Sequence, residues 1–252
     1  MLKVRVMPTL LHKEVGLVKG VAFDSWRRVG SAMQAIKVYN MREVDEMVFL
    51  DISATREERT PDFRLIDELA DECFMPLTVG GGIRTIEDVG QLLKVGADKV
   101  SVNSAAIETP EIISQIAERF GAQCAVVSID VRRADDGKAE VFTRSGTLAT
   151  GKDPIRHARD AERLGAGEIL LTSINRDGTL TGYDIDLIRD VSAAVSIPVI
   201  ASGGAGNYEH MAAALRDGGA SAVAAASMFH FTEQTPLGAK KYLRQAGFHV
   251  RL

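Results

Sequence analysis

Short β-branched runs alternate with amphipathic segments of helical spacing from one end of the chain to the other, the pattern of repeated βα units on a parallel sheet. Eight runs predict strands over residues 4–9, 47–52, 77–80, 99–102, 124–130, 168–172, 198–202 and 222–226. Between them, residues 62–72, 86–95, 110–120, 154–164, 184–194, 208–216 and 236–246 carry apolar side chains at helical spacing. Pro110, Pro154 and Pro236 sit near the starts of three of these segments, where a missing N–H costs nothing.

The pattern also repeats. Pro76-Leu-Thr-Val-Gly-Gly-Gly82, a helix and Gly96-Ala-Asp98 reappear as Pro198-Val-Ile-Ala-Ser-Gly-Gly204, a helix and Gly219-Ala-Ser221. An offset of about half the chain makes the second half a copy of the first. Two four-unit halves closing into one (β/α)8 TIM barrel over residues 1–252 account for length and repeat together. No Pro/Ser-rich linker divides the halves, and the Gly-x-Gly-x-x-Gly fingerprint of the alternative, an open doubly wound sheet, is absent after the first strand.

Composition narrows the function classes. With 46% apolar and 25% charged residues in 252, disorder and fibrous architectures are excluded. A formal charge of −4 gives no global basic field for nucleic acid or anionic lipid, so an anion must be caught locally. The opening Met1-Leu-Lys-Val-Arg5 lacks a signal-peptide core, and no run reaches the ~20 apolar residues of a membrane helix. A cytoplasmic protein with no membrane partner is expected. Cys73 and Cys124 lack metal-ligand spacing and read as small buried apolar residues; no metal or cofactor is expected.

In such a barrel the active site forms where the strands end at their C-terminal face. Gly80-Gly81-Gly82 and Gly203-Gly204-Ala205-Gly206 end the third and seventh strands just before helices, where backbone N–H groups can approach an oxyanion. One unit later each half adds Asn103-Ser104 or Ala226-Ser227. Duplication in register points to paired phosphate cradles and a ligand phosphorylated at both ends; the alternative is that such turns merely satisfy tight geometry. Asp51 and Asp130 follow apolar runs, an expensive place for a charge unless it is used or paired. Asp177 precedes Gly178, where an Asp can serve the turn alone.

Taken with Val48-Phe-Leu-Asp-Ile52, Thr78-Val-Gly-Gly-Gly-Ile83, Gly96-Ala-Asp-Lys-Val-Ser101, Gly165-Ala-Gly-Glu-Ile-Leu-Leu-Thr-Ser173, Arg176-Asp-Gly-Thr179, Ala201-Ser-Gly-Gly-Ala-Gly206, Phe229-His230 and the closing His249-Val-Arg-Leu252, the chain resembles the HisF family over essentially its whole length. These are the cyclase subunits of imidazole glycerol phosphate synthase. The resemblance implies a barrel that takes ammonia from a HisH-type glutaminase docked at its N-terminal face. In the family, that ammonia cleaves a bisphosphorylated ribulosyl intermediate to imidazole glycerol phosphate and an aminoimidazole carboxamide nucleotide. It further implies Asp130 as catalytic acid or base, Lys19 on a loop over the mouth, and phosphate contacts from Gly82, Asn103, Ser104, Gly204, Ala226 and Ser227, with Gly203, Asp51, Asp177 and Gly178 beside them. Arg5, Glu46, Lys99 and Glu168 match the charged ring at the barrel's base through which ammonia passes; a purely structural ring is the alternative.

The sequence departs from the family at the mouth. The family's first strand ends Cys-Leu-Asp, its Asp being the partner of the strand-five carboxylate; here it reads Thr9-Leu10-Leu11. A positioned acid or base is worth about 10²–10⁴ in rate, and Leu11 cannot move a proton. Strand alternation turns the nearest titratable group, His12, away from the lumen. Arg27-Arg-Val-Gly-Ser-Ala32 replaces the family's Arg-Asp-x-Gly-Asp-Pro, and Asn175 stands where an acid is common. Leu11 and the segment Tyr39-Asn40-Met-Arg-Glu-Val-Asp45 resemble a second HisF-like branch that feeds ammonia to a separate amidotransferase modifying surface sugars. Three readings result: an ammonia-handling subunit with weakened cyclase activity, an ordinary histidine-pathway cyclase with Asp51 or His12 compensating, and a non-catalytic phosphate-binding scaffold. A lid is expected over residues 131–150, turning at Asp135-Asp-Gly137.

Overall fold

Eight parallel strands close on themselves in the computed structural model, which describes residues 3–14, 16–42 and 44–252. Met1 and Leu2 of the opening segment, and Glu43 of the segment assigned to the surface-sugar branch, lie outside the described residues. The barrel strands are β1 (Arg5–Lys13), β4 (Met47–Asp51), β5 (Leu77–Gly80), β6 (Lys99–Val102), β7 (Ala125–Arg133), β10 (Glu168–Ser173), β11 (Val199–Ser202) and β12 (Ala222–Ala225). Each pairs in parallel with the next, and β12 pairs with β1 to complete the (β/α)8 barrel. Outer helices α1 (Ala32–Met41), α2 (Phe63–Ala70), α3 (Ile86–Lys94), α5 (Glu111–Phe120), α6 (Pro154–Arg163), α7 (Ile185–Ser192), α8 (Tyr208–Arg216) and α10 (Pro236–Gln245) cover it. None of the described helices is long and apolar enough to cross a membrane.

The halves correspond in detail. Asp62 and Asp184 cap α2 and α7 through Leu65 N–H and Leu187 N–H, with nearly identical backbone angles. The short helices α4 (Ser104–Glu108) and α9 (Ser227–Phe231) follow β6 and β12, entered through Asn103 and Ala226 with φ of −116° and −122°.

Several boundaries and elements differ from the sequence expectation. The strand expected from Pro198 begins at Val199, since proline has no N–H for the ladder. Residues 122–124 form a 3₁₀ turn before β7, and Ala226 belongs to the entry of α9 rather than to β12. Cys73 and Cys124 are half-buried rather than buried; their thiols donate weakly to the carbonyls of Met75 and Phe120. Helix α1 lies between the first two strands, where no helical segment was predicted. It buries only Ala32, Ile36 and Tyr39, and its N-cap Ser31 makes no side-chain cap. Strand β1 runs four residues beyond the predicted end and turns into a hairpin, β2 (Gly16–Val21) with β3 (Asp24–Gly30), which contains most of the rewritten Arg27–Ala32 segment. A second hairpin, β8 (Ala139–Thr143) on β7, turns at Asp135-Asp136-Gly137 as expected, and β9 (Leu148–Ala149) extends it.

Alternation along the strands sorts the lumen into layers. Met7, Val48, Val126, Leu170, Ile200, Ala222 and Ala224 fill its waist. Below them the strand starts are clamped from outside: Asp45 accepts from Val6 N–H (3.0 Å) and from Lys240 Nζ of α10 (3.1 Å), with Lys240 1% exposed. Removing one member of such a buried pair leaves the other charge uncompensated. Lys240→Met is expected to cost about 3–5 kcal/mol in urea unfolding; a change under about 1 kcal/mol would contradict this role.

Candidate active site

The C-terminal face of the barrel opens into a cavity enclosing about 1140 Å³, counted to its opening on solvent. Its lining includes Lys19, Asp51, Gly82, Asn103, Ser104, Asp130, Asp177, Gly178, Gly203, Gly204, Ala226 and Ser227, whereas Gly80 and Gly206 of the two glycine clusters fall outside it. Leu11 lines it as well. His12 points outward, buried against Phe49 with ring centroids 5.5 Å apart and its Nδ1 without a hydrogen-bond partner among the described residues.

Asp130, on the inward face of β7, is 9% exposed. Ser128 Oγ reaches its Oδ1 at 3.5 Å and Asn103 Nδ2 its Oδ2 at 3.3 Å, while Thr172, its register partner on β10, stands beside it and favours its ionised form. Burial, reinforced by the charge of Asp177, pushes the Asp130 carboxyl up to about 7. Asp177 stands in the turn after β10, and its side chain does more than serve the turn: Oδ2 lies 2.6 Å from Lys19 Nζ. Burial raises Asp177 and the Lys19 ammonium opposes it. Lys19 itself is only 2% exposed, because the β2–β3 hairpin folds it inward and Ala22 N–H donates to Asp177 O at 2.8 Å.

Asp51 is differently occupied. Its Oδ1 accepts from Ser53 N (2.9 Å), Ser53 Oγ (2.9 Å) and Ala54 N (3.0 Å), and Oδ2 faces Arg59 at 3.3 Å. The expense of that charge is met by a turn and an ion pair, which engage both carboxylate oxygens.

The two glycine-bearing sides of the mouth are built alike but finished differently. A Cβ on Gly81 would lie 2.1 Å from Asp51 O, and one on Gly204 2.2 Å from Gly182 O, so tight packing between neighbouring loops alone demands glycine there. On one side Ser104 Oγ accepts from Arg144 N–H of the second hairpin (3.1 Å). On the other Ser227 Oγ is buried with no hydrogen-bond partner among the described residues. Phe23 and Trp26 of the first hairpin and Ser145 of the second also line the cavity and were not foreseen, nor were Ser128 and Thr172. Counting by twos from Asp130 finds Ser128; nothing local marks the hairpin residues. Asn175 uses both ends of its amide on Arg133, accepting from its N–H (2.8 Å) and donating to its O (3.0 Å), which a carboxylate could not do.

At the opposite end of the lumen the four predicted charges form a closed ring. Arg5 Nη1 lies 2.9 Å from Glu46 Oε1 and 2.8 Å from Glu168 Oε1; Lys99 Nζ lies 2.9 Å from Glu46 Oε2 and 3.2 Å from Glu168 Oε1. Burial disfavours the Arg5 charge, yet the two carboxylates outweigh it and hold the guanidinium cationic.

The sequence model of the histidine biosynthesis protein family matches residues 5–235. The chain belongs to that family. A HisF-like barrel is what the match supports, and the mouth and the ring are the two ends of its lumen.

The buried acid makes stability depend on pH. Because its folded-state carboxyl titrates above the ordinary range, Asp130 favours folding fully below about pH 4, and that contribution is lost as pH rises through about 7. Asp130→Asn, which mimics the protonated form, should leave urea stability near wild type at pH 4 and raise it by about 2–4 kcal/mol at pH 8. Equal effects at both pH values would exclude a raised Asp130.

Proposed function

We propose that this barrel is a HisF-like subunit of a glutamine-dependent amidotransferase. Ammonia released by a HisH-type glutaminase at the base enters through Arg5, Glu46, Lys99 and Glu168 and travels the lumen to a bisphosphorylated ligand at the mouth. The cyclase reaction is slow in this chain, and the ammonia supplied serves a downstream amidotransferase acting on a surface-polysaccharide sugar. The observation that carries this reading is the contrast between the two ends: a complete ring of four charges below, and the hydrocarbon of Leu11 in the cavity that holds Asp130 above. A ring kept for packing alone would be no better than an apolar plug, since buried ion pairs contribute little net stability.

In this reading the glycine loops and the Ser104 and Ser227 hydroxyls receive the two phosphates, with Lys19 adding a cation from the hairpin. Asp130 supplies one of the two proton transfers that amination requires. The histidine-pathway cyclase is the second reading, favoured by the position of Asp177 and Lys19 in the same cavity. His12, pointing out of the lumen, and Asp51, engaged by its turn, give that reading no help.

Purified protein supplied with ammonium and the ribulosyl bisphosphate intermediate is expected to form imidazole glycerol phosphate slowly, and Leu11→Asp to accelerate it by about 10²–10⁴. Robust turnover by the wild-type chain, with no gain in L11D, would replace this reading by the cyclase. Lys99→Ala is expected to impair glutamine-dependent turnover with the glutaminase while sparing ammonium-dependent turnover. Equal rates with both nitrogen sources in K99A would favour a purely structural ring and a scaffold function.

A further inference from the structure

Leu11 leaves Asp130 without a carboxylate on β1, yet the mouth is not short of titratable groups. Those facing the cavity come from four elements: Lys19 from β2, Asp51 from β4, Asp130 from β7, and Asp177 from the turn after β10. His230 of α9 stands behind them beside the Thr9 backbone, lowered to about 4 by burial, and is neutral at physiological pH. Asp51 is committed to its turn and to Arg59. That leaves Asp177, whose strand is the immediate neighbour of the strand carrying Asp130. Its side chain is 11% exposed and lies against an ammonium delivered by a hairpin rather than by the barrel wall.

We infer that Asp177, held by Lys19, is the proton-transfer partner of Asp130 in this chain and supports its residual, slower turnover in place of the carboxylate that position 11 no longer carries. This inference rests on the reading of the mouth as a site of ammonia addition. As a nitrogen–carbon bond forms and the bond to the leaving group breaks, Asp177 takes a proton from the ammonia nitrogen and Asp130 gives one to the leaving group. Exchange with solvent returns both to their starting forms, so no other reactant is needed. The two carboxyls are suited to opposite roles because their surroundings differ. Asp177 has a cation at 2.6 Å that stabilises its ionised form, whereas the contacts of Asp130 are the neutral Ser128, Thr172 and Asn103. Lys19 is the positioning residue. Closure of the β2–β3 hairpin therefore sets the charge state of the base as well as covering the ligand.

The test combines ¹³C-carboxyl NMR titration of the aspartates with turnover of the ribulosyl bisphosphate in ammonium, in wild type, Asp177→Asn, Lys19→Met and Leu11→Asp. Removing the Asp177 charge should lower the titration midpoint of Asp130, and K19M, which leaves the barrel wall untouched, should raise that of Asp177. D177N should slow turnover about tenfold or more in the wild-type background and less than about threefold when combined with L11D, where the β1 carboxylate shares the task. An Asp130 midpoint unmoved by D177N, or equal slowing in both backgrounds, overturns the inference. Turnover gained only on adding L11D overturns it too, while sustaining the reading of the ligand. If no variant turns over the bisphosphate but the Asp130 midpoint falls in D177N, the pairing stands and the choice of ligand is what failed.

Discussion

Closing eight parallel strands leaves each inward side chain no direction but the lumen, and this steric constraint organises everything else in the molecule. On β1 it turns Arg5, Met7, Thr9 and Leu11 inward in succession and sends His12 into the shell between barrel and helices. Four residues of one strand thus sample the charged base, the apolar waist and the polar mouth. A substitution at position 11 therefore acts on the mouth alone, and one at position 5 on the ring alone.

The same constraint explains how charges are tolerated so deep. At the base, two cations and two carboxylates each reach both opposite partners, so no charge is left uncompensated. At the mouth the arrangement is asymmetric: Asp51 is met by a turn, Asp177 by Lys19, and Asp130 only by neutral groups. The raised Asp130 carboxyl is the electrostatic result, and it supplies a group that carries a proton near neutral pH.

The barrel is legible because short β-branched runs alternating with helical segments, glycine turns and the half-chain repeat all point to one closed sheet, and the mouth residues follow from where strands end. The first hairpin is not. Its turn is Ala22-Phe23, with φ of 49° and 63° at both central residues, a conformation normally signalled by Asn-Gly or Asp-Gly. Without that signal, Lys19 could be placed over the mouth only by resemblance, and its pairing with Asp177 joins residues far apart in sequence that no local pattern connects. The second hairpin carries Asp136-Gly137 at its turn and was legible for that reason. The weak apolar stripe of α1 hid a helix in the same region. In the sequence the glycines at the mouth allow two readings, anion cradles or tight turns, and the backbone geometry shows that close loop packing requires several of them.

Under the proposed function, the ring and the mouth are two ends of one ammonia path. The most direct measurement supplies the barrel and its proposed glutaminase partner with glutamine labelled with ¹⁵N in the side-chain amide, in unlabelled ammonium buffer, and reads the nitrogen of the imidazole product by mass spectrometry. Conduction through the lumen predicts that the product carries predominantly the glutamine nitrogen. A product whose label follows the ammonium pool of the solvent would contradict it.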